Sequence, residues 1–353
     1  MDFFKIIENH YQEKMPFVVF HKPNSEDVIL VTQNDSETYY WESDADSGFV
    51  FCDFLGNKKL LLPQEKCNTY FQKVSSISFV SLNTAAKLSQ KLSAKEAFEK
   101  LVFEAINEIK SESFNKVVLS RKEIQENSTI NLEILFCKMV SNYFTAFSYC
   151  FFHPSSGLWI GATPEQLIKV EGTNFKTVAL AGTKKWSETE EIIWTEKEKT
   201  EQNLVTKSIE NCMEGFATKI SISQVYNFKA GDLAHLKSDF NIELKENFSI
   251  QKLVSALHPT PAVCGLPKQE ALDFILKNEK YDREFYTGFL GELNRSFKTM
   301  RMHESDLFVN LRCMKLEDNK AEIFVGCGIT AESNPESEFL ETQNKAMTMR
   351  KVL

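Results

Sequence analysis

Two glutamate pairs, each with members three residues apart, indicate what chemistry this chain could do. One is Glu198 and Glu201 in TEKEKTEQNLV; the other is Glu338 and Glu341 in PESEFLETQNK. Both runs read as helix, and residues three apart share a helix face, so each pair sets two like charges side by side. That is unfavourable unless the face is solvated or a cation lies between the carboxylates. Lys345 follows Glu341 by one helical turn, so the C-terminal face offers carboxylate, carboxylate, amine. If the two helices face each other, they form an oxygen-rich cage suited to Mg²⁺ and a carboxylated substrate. If they do not, they are two solvated acidic faces, the ordinary surroundings of Glu and Lys.

Other positions could supply a base, an acid and anion recognition. Lys116 opens KVVLSR, where alternation groups it with Val118 and Ser120 and sets Val117, Leu119 and Arg121 on the other face. Such a lysine either sits at a strand edge with its head in water, or is buried with a depressed pKa and able to act as a general base. Glu165 lies in GLWIGATPEQL, at a tight turn after a strand. In apolar surroundings it would keep its proton and serve as a general acid; otherwise it is an ordinary turn glutamate. ALAGT (179–183) is small and apolar, and either lets a ligand approach the backbone closely or is a strand ending at a plain glycine turn. Arg312, in VNLRCMKL, falls on one strand face with Asn310 and Met314. Inside a strand it needs an anion, either a substrate carboxylate held bidentately or a structural salt-bridge partner. GCGIT (326–330) can turn backbone N–H groups toward a ligand just before the last helix. It matches neither GxGxxG nor a Walker A pattern, so as a phosphate loop it is weak.

The elements that must carry these residues follow from periodicity. VVFHKP, DVILVT, SGFVFCDF and KLLLP make residues 1–92 a region of short strands and turns. A helix begins at a Ser93–Glu96 capping box, with Ala97, Phe98, Leu101, Ala105, Ile106 and Ile109 as its apolar stripe. KVVLSR is a strand and NLEILFCKMVSNYF (131–144) a helix. FSYCFF, GLWIGATPE, QLIKVEG and FKTVALAGT form successive antiparallel strands. The run 190–216 reads as one long helix, ISQVYNF and LAHLKSDFNIEL as strands, and 249–278 as helix, proline-marked loop, helix. SDLFVNLRCMKLE and KAEIFVGCGIT form a hairpin turning at Asp318-Asn319. The last helix starts after Asn334 with Pro335 at its first position. Long helices interspersed among strand-rich segments point to one large α+β domain over 1–353.

The chain has 353 residues, is 42% hydrophobic and carries 29 Phe, enough for a large core. A net charge of −8 with no long basic run argues against a nucleic-acid partner. The start, MDFFKIIENHYQEK, lacks the apolar stretch of a signal peptide, and no run approaches the ~20 apolar residues of a membrane span. Eight cysteines occur without a CxxC pair, several inside apolar strands. They read as reduced thiols of a cytoplasmic protein, not as a disulfide or zinc framework.

Taken in order, the segments KVVLSR, GATPE, ALAGT, EKEKTEQNLV, LAHL, LHPTPAVCGLP, REFYTGFLG, LRC, GCGIT and P-x-x-E-x-x-E-T-x-x-K resemble the chorismate-utilising enzyme family. The resemblance runs from about residue 94 onward. It implies that family's fold, antiparallel sheets packed with helices, with 93–353 as the catalytic core and 1–92 as a variable N-terminal part. Two places resemble the isochorismate synthases of the family. Amine-adding relatives resemble PIKGT, with an attacking lysine, where this chain has Ala181. LHPTPAVCG (257–265) stands where aminating relatives carry a sequence of the type FPxGxxxGAPK. Thr200 departs from relatives with histidine beside the metal glutamate.

The resemblance implies a mechanism. Mg²⁺ bound by Glu201 and Glu338, with Glu198 and Glu341 close by or acting through water, holds the ring carboxylate of chorismate. Lys116 deprotonates a water that attacks C2, and Glu165 protonates the departing C4 hydroxyl. Arg312 and Lys345 grip carboxylates, helped by the backbone around Gly182, Thr183 and Gly328; Ala181 lines the ring and His235 lies near it. Salicylate synthase, which goes on to eliminate pyruvate, is the nearest rival, followed by the chorismate-aminating enzymes. The family also implies a monomer; the absence of nucleic-acid and membrane partners is the expectation from charge and hydropathy given above.

Overall fold

The computed structural model describes residues 3–83, 92–126, 131–186, 188, 191–230 and 233–353. In chain order they form α1 (Phe3–Gln12), β1 (Phe17–His21), β2 (Asp27–Gln33), β3 (Tyr39–Tyr40), β4 (Gly48–Cys52), β5 (Lys59–Pro63), β6 (Cys67–Lys73), α2 (Leu92–Lys110), β7 (Lys116–Glu126) and α3 (Leu132–Asn142). There follow β8 (Phe147–His153), β9 (Gly157–Thr163), β10 (Gln166–Glu171), β11 (Asn174–Lys185), α4 (Glu196–Met213), β12 (Ala217–Ile222), β13 (Tyr226–Ala230), β14 (Leu233–Leu244) and α5 (Ile250–Leu257). The chain closes with β15 (Gly265–Leu266), α6 (Lys268–Asn278), β16 (Phe289–Leu293), β17 (Glu304–Val309), β18 (Cys313–Glu317), β19 (Lys320–Ile329) and α7 (Pro335–Arg350).

Two antiparallel sheets result, in the orders β15-β7-β19-β18-β9-β8-β1-β2-β6 and β12-β14-β11-β10-β17-β16-β4-β5-β3, with β13 beside β14. Strands such as FVVFH, GFVFC and FSYCFFH are buried at every position, because both faces are covered. Between the sheets lies an aromatic layer in which Phe147 meets Phe308 at 4.3 Å and Phe51 meets Phe285 at 4.4 Å between ring centroids. Each such buried ring contributes about 1.5–3 kcal/mol of transfer free energy. The outer face of the first sheet packs under α1, α3 and α7, with Ile7, Leu135 and Met349 in one cluster. The outer face of the second packs under α4 and α5, through Val205, Ile209 and Leu253. Among the described residues no helix is long and apolar enough to cross a membrane.

The structure corrects several expectations. Residues 3–12 are helix, with Phe3, Ile6 and Ile7 on the buried face. β3, β6 and β16 are additional strands. The helix expected from 190 starts at Glu196, with Thr195 as its N-cap. The run around ISQVYNF is two strands, β12 and β13, which pair with successive stretches of β14, and not one. The hairpin at Asp318-Asn319 forms, but its first half is not one strand: β17 belongs to the second sheet and β18 to the first. Arg312 therefore sits in a crossover between sheets, with φ of +48°, and not inside a strand. Pro164 and Glu165 occupy a parallel crossover, from β9 to β10. The two run side by side, tied by Val309 N–H to Glu165 O at 2.9 Å and by the Thr163 hydroxyl to Val309 O at 2.6 Å.

Candidate active site

Lys116 is the first residue of β7, held between β15, where Leu266 faces it, and β19, where Ile329 faces Val117. Its side chain is 7% exposed, and Nζ donates to Glu201 Oε1 at 2.6 Å. Of the two alternatives left by the sequence, the solvated edge lysine is excluded. Gly328 supplies the room: a Cβ there would stand 3.1 Å from Lys116 Cε and 3.9 Å from Glu201 Oε1.

Glu165 is partly exposed as a residue, yet its carboxyl is walled in by protein, and burial pushes its pKa up to about 7 against the fields of Lys116 and Lys345. Its side also lines a largely apolar cavity of about 290 Å³, together with Leu180, Val205, Ile209 and Pro261. Such surroundings disfavour the charged form.

Around these two lie the anion-binding candidates. Lys345 Nζ donates to Gly326 O at 3.0 Å and pairs with Glu341 Oε1 at 2.7 Å. Arg312 donates from Nη1 to Lys345 O and to Thr348 Oγ1, each at 3.3 Å. Burial lowers its pKa while Tyr286 and Glu341 raise it, which places those groups around it. His235, on β14, bonds through Nδ1 to Gly182 O at 2.8 Å. A carbonyl can only accept, so Nδ1 carries the proton. Burial, with Lys345 and Arg312 adding to it, holds His235 below its usual pKa. Burial pushes Glu341 up, but Lys345, Arg312 and His235 together leave it below the usual carboxylate range.

ALAGT ends in a β-bulge, the register with β14 shifting between Ala181 and Lys184. Gly182 adopts φ of +68°, and a Cβ there would meet Glu198 Cβ at 3.1 Å and Trp194 Cζ3 at 3.2 Å, so the strand touches α4 where only glycine fits. Ala181 belongs to the apolar cluster under α4. The Thr183 side chain lies outside the described residues.

The acidic residues have protein partners. Glu198 accepts from Thr195 N at 2.8 Å and from the Thr195 hydroxyl, so it also caps α4. Glu201 holds Lys116, Glu341 holds Lys345, and Glu338 lies against Cys327, whose thiol is pushed up by burial and by that carboxylate. As a donor set these four are hard oxygen ligands of the kind that suit Mg²⁺. Among the described residues, however, no three His, Cys, Asp or Glu side chains converge at metal-ligand spacing. By type the residues fit a hard cation; by position amines and a cap hold Glu201, Glu341 and Glu198, while Glu338 lies against Cys327.

Sequence reasoning missed three contributors. Tyr286 is 3% exposed, and its hydroxyl would lie 3.0 Å from a Cβ at Gly326, beside the Arg312 field. Lys184 Nζ stands 3.8 Å from Glu198 Oε1. Arg283 donates to Val118 O at 2.7 Å and Val263 O at 2.9 Å while gripping Glu279. It thereby ties the Lys116 strand to the LHPTPAVCG loop. Tyr286 and Arg283 both fall in REFYTGFLG, a segment quoted for its resemblance but not read for its chemistry.

The chain is similar to known proteins. The isochorismate synthase EntC of Escherichia coli K12 is 28% identical over 284 residues, covering 77% of this chain and 70% of that protein. The isochorismate synthase MenF of Bacillus subtilis 168 is 29% identical over 266 residues, covering 72% and 55%. The structure of MenF, the menaquinone-specific isochorismate synthase of E. coli, shares the fold with a TM-score of 0.79 at 20% identity, covering 96% of this chain and 88% of that one. Anthranilate synthase component I of Streptococcus pneumoniae TIGR4 shares it with a TM-score of 0.71 at 18% identity, covering 95% and 92%. The family described as chorismate binding enzyme matches residues 57–353, starting ahead of the ordered motifs, and this chain belongs to it.

Proposed function

We propose that this chain is an isochorismate synthase that isomerises chorismate with the help of Mg²⁺. The observation that carries the reading is the pairing of a buried amine, Lys116, with an enclosed carboxyl, Glu165, whose pKa of about 7 leaves it able to give a proton. Lys116, in its amine form, takes a proton from a water adding at C2. The ring double bonds shift, the C4–O bond breaks, and Glu165 passes its proton to the departing hydroxyl, which leaves as water. One water enters and one leaves; Lys116 ends protonated and Glu165 ionised, and solvent resets both.

Arg312 and Lys345 take up substrate carboxylates, and the β11 bulge at Gly182 with Ala181 walls the ring, offering no amine to attack it. Neutral His235 keeps an uncharged surface near the ring. A Mg²⁺ ion on Glu201 and Glu338, with Glu198 and Glu341 beside it, would supply the charge that offsets the ring carboxylate. On this reading the chain acts as a single domain, a monomer, in the cytoplasm.

The test is direct. Purified protein with chorismate and MgCl₂ should yield a product of unchanged mass with the absorbance of isochorismate. Release of pyruvate would make it a salicylate synthase instead, and conversion only with an ammonia donor would make it an aminating enzyme.

A further inference from the structure

Three of the four carboxylates read above as cation ligands have a lysine of the protein beside them. Lys116 stands on Glu201 at 2.6 Å, Lys345 on Glu341 at 2.7 Å, and Lys184 near Glu198 at 3.8 Å. The first pair differs from the others. Its lysine side chain is the most enclosed of the three, at 7% exposure against 23% and 31%. An ammonium is a compact point charge, and at 2.6 Å it sits on Oε1, one of the two Glu201 oxygens open to a cation bonding at ~2.0–2.1 Å. Two cations on that oxygen would stand only a few ångströms apart and repel. The Lys116 backbone cannot retreat, being paired beside β15 and next to the β7–β19 register. Its side chain runs against Gly328, where a Cβ would stand 3.1 Å from Cε and 3.7 Å from Nζ, so the absence of a side chain there is what gives it clearance.

We propose that the Lys116 ammonium holds the cation position on Glu201, so that a divalent cation and the Lys116–Glu201 pair exclude one another. Loading the cation then displaces the Lys116 side chain from Glu201 toward the site it shares with Glu165. The proposal rests on the reading of Glu201 as a cation ligand, and its test separates the two.

MgCl₂ alone, without substrate, is titrated calorimetrically into the wild-type protein, Lys116→Met and Lys184→Met, with circular dichroism verifying the fold. Removing the amine leaves a partly buried carboxylate without its partner, so Lys116→Met should bind Mg²⁺ at least ~10-fold tighter than wild type. Lys184→Met removes a charge of the same sign without uncovering Glu201 and should change affinity by less than ~3-fold. Equal or weaker binding by Lys116→Met overturns the exclusion. So does an equal gain in both variants, which would reflect the general field. If no variant binds Mg²⁺, the cation reading fails and this proposal falls with it. In the wild type, a zero-length carbodiimide cross-link between Lys116 and Glu201, detected by peptide mass, should form without Mg²⁺ and vanish at saturating Mg²⁺; a cross-link that persists also overturns the exclusion.

Discussion

Alkaline pH should disable Glu165 as an acid. Burial lifts its carboxyl from 4.5 to about 7, and the fields of Lys116 and Lys345 oppose that lift. At pH 7 about half the molecules then hold the proton. An unshifted glutamate would hold it in roughly one of 300, so enclosure raises the acid population on the order of 150-fold. The sign for this group is fixed: its working form is the protonated one, so the Glu165 contribution is full below about pH 7 and lost as pH rises through it. kcat/KM reports the free enzyme. With saturating MgCl₂, and isochorismate followed by absorbance, its profile should carry a limb near pH 7 set by Glu165. Lys345→Gln removes one of the two opposing fields, so the limb should move to higher pH whatever happens to its height. Glu165→Gln should lower kcat by ~10²–10⁴ and erase the limb. A profile flat from about pH 6 to 9, or a limb that survives Glu165→Gln, would refute the assignment.

Further expectations follow from the same geometry. Lys116→Gln should lower kcat by ~10²–10⁴ while chorismate binding, measured by calorimetry, persists; near-normal turnover would place the base elsewhere. Excess chelator should abolish turnover, and Glu201→Gln or Glu338→Gln should weaken Mg²⁺ and chorismate binding together without altering circular dichroism. Ala181→Lys should lose isochorismate formation and accumulate a ring adduct visible as an intact-protein mass shift, whereas Ala181→Met loses activity with no adduct; parent-rate turnover in Ala181→Lys would remove ALAGT from the site. Gly328→Ala puts a methyl 3.1 Å from Lys116 Cε. It should lower kcat at least ~10-fold with little change in melting temperature, and unchanged kcat would show that Lys116 needs no such clearance.

The elements that came through from sequence are those whose residue types repeat at the right period. The Phe-rich strands, the helices at 92–110 and 132–142 and the Pro335 helix start are of this kind. The elements that did not were underdetermined locally. A ten-residue helix such as α1 is marginal alone and is stabilised by laying Phe3, Ile6 and Ile7 on the first sheet. β6 alternates with few large apolar residues because it is an edge strand beside β2. The run 304–317 keeps a strand-like pattern on both sides of a sheet change that is written only in the backbone at 310–312.

The site divides the same way. Residue types and spacing alone determined that two pairs of glutamates share helix faces, that a lysine opens an apolar strand, and that a glutamate follows a tight turn. These are properties of neighbours, and local geometry carries them. Only the tertiary structure decided what neutralises each charge. Glu201 meets a lysine 85 positions away, Glu198 turns back to cap its own helix, and Arg312 leaves the strand to lie under α7. The Glu165 carboxyl rises to about 7 because two sheet crossovers and a cavity enclose it. Desolvation depends on every atom around a group, and those atoms come from segments far apart in the chain.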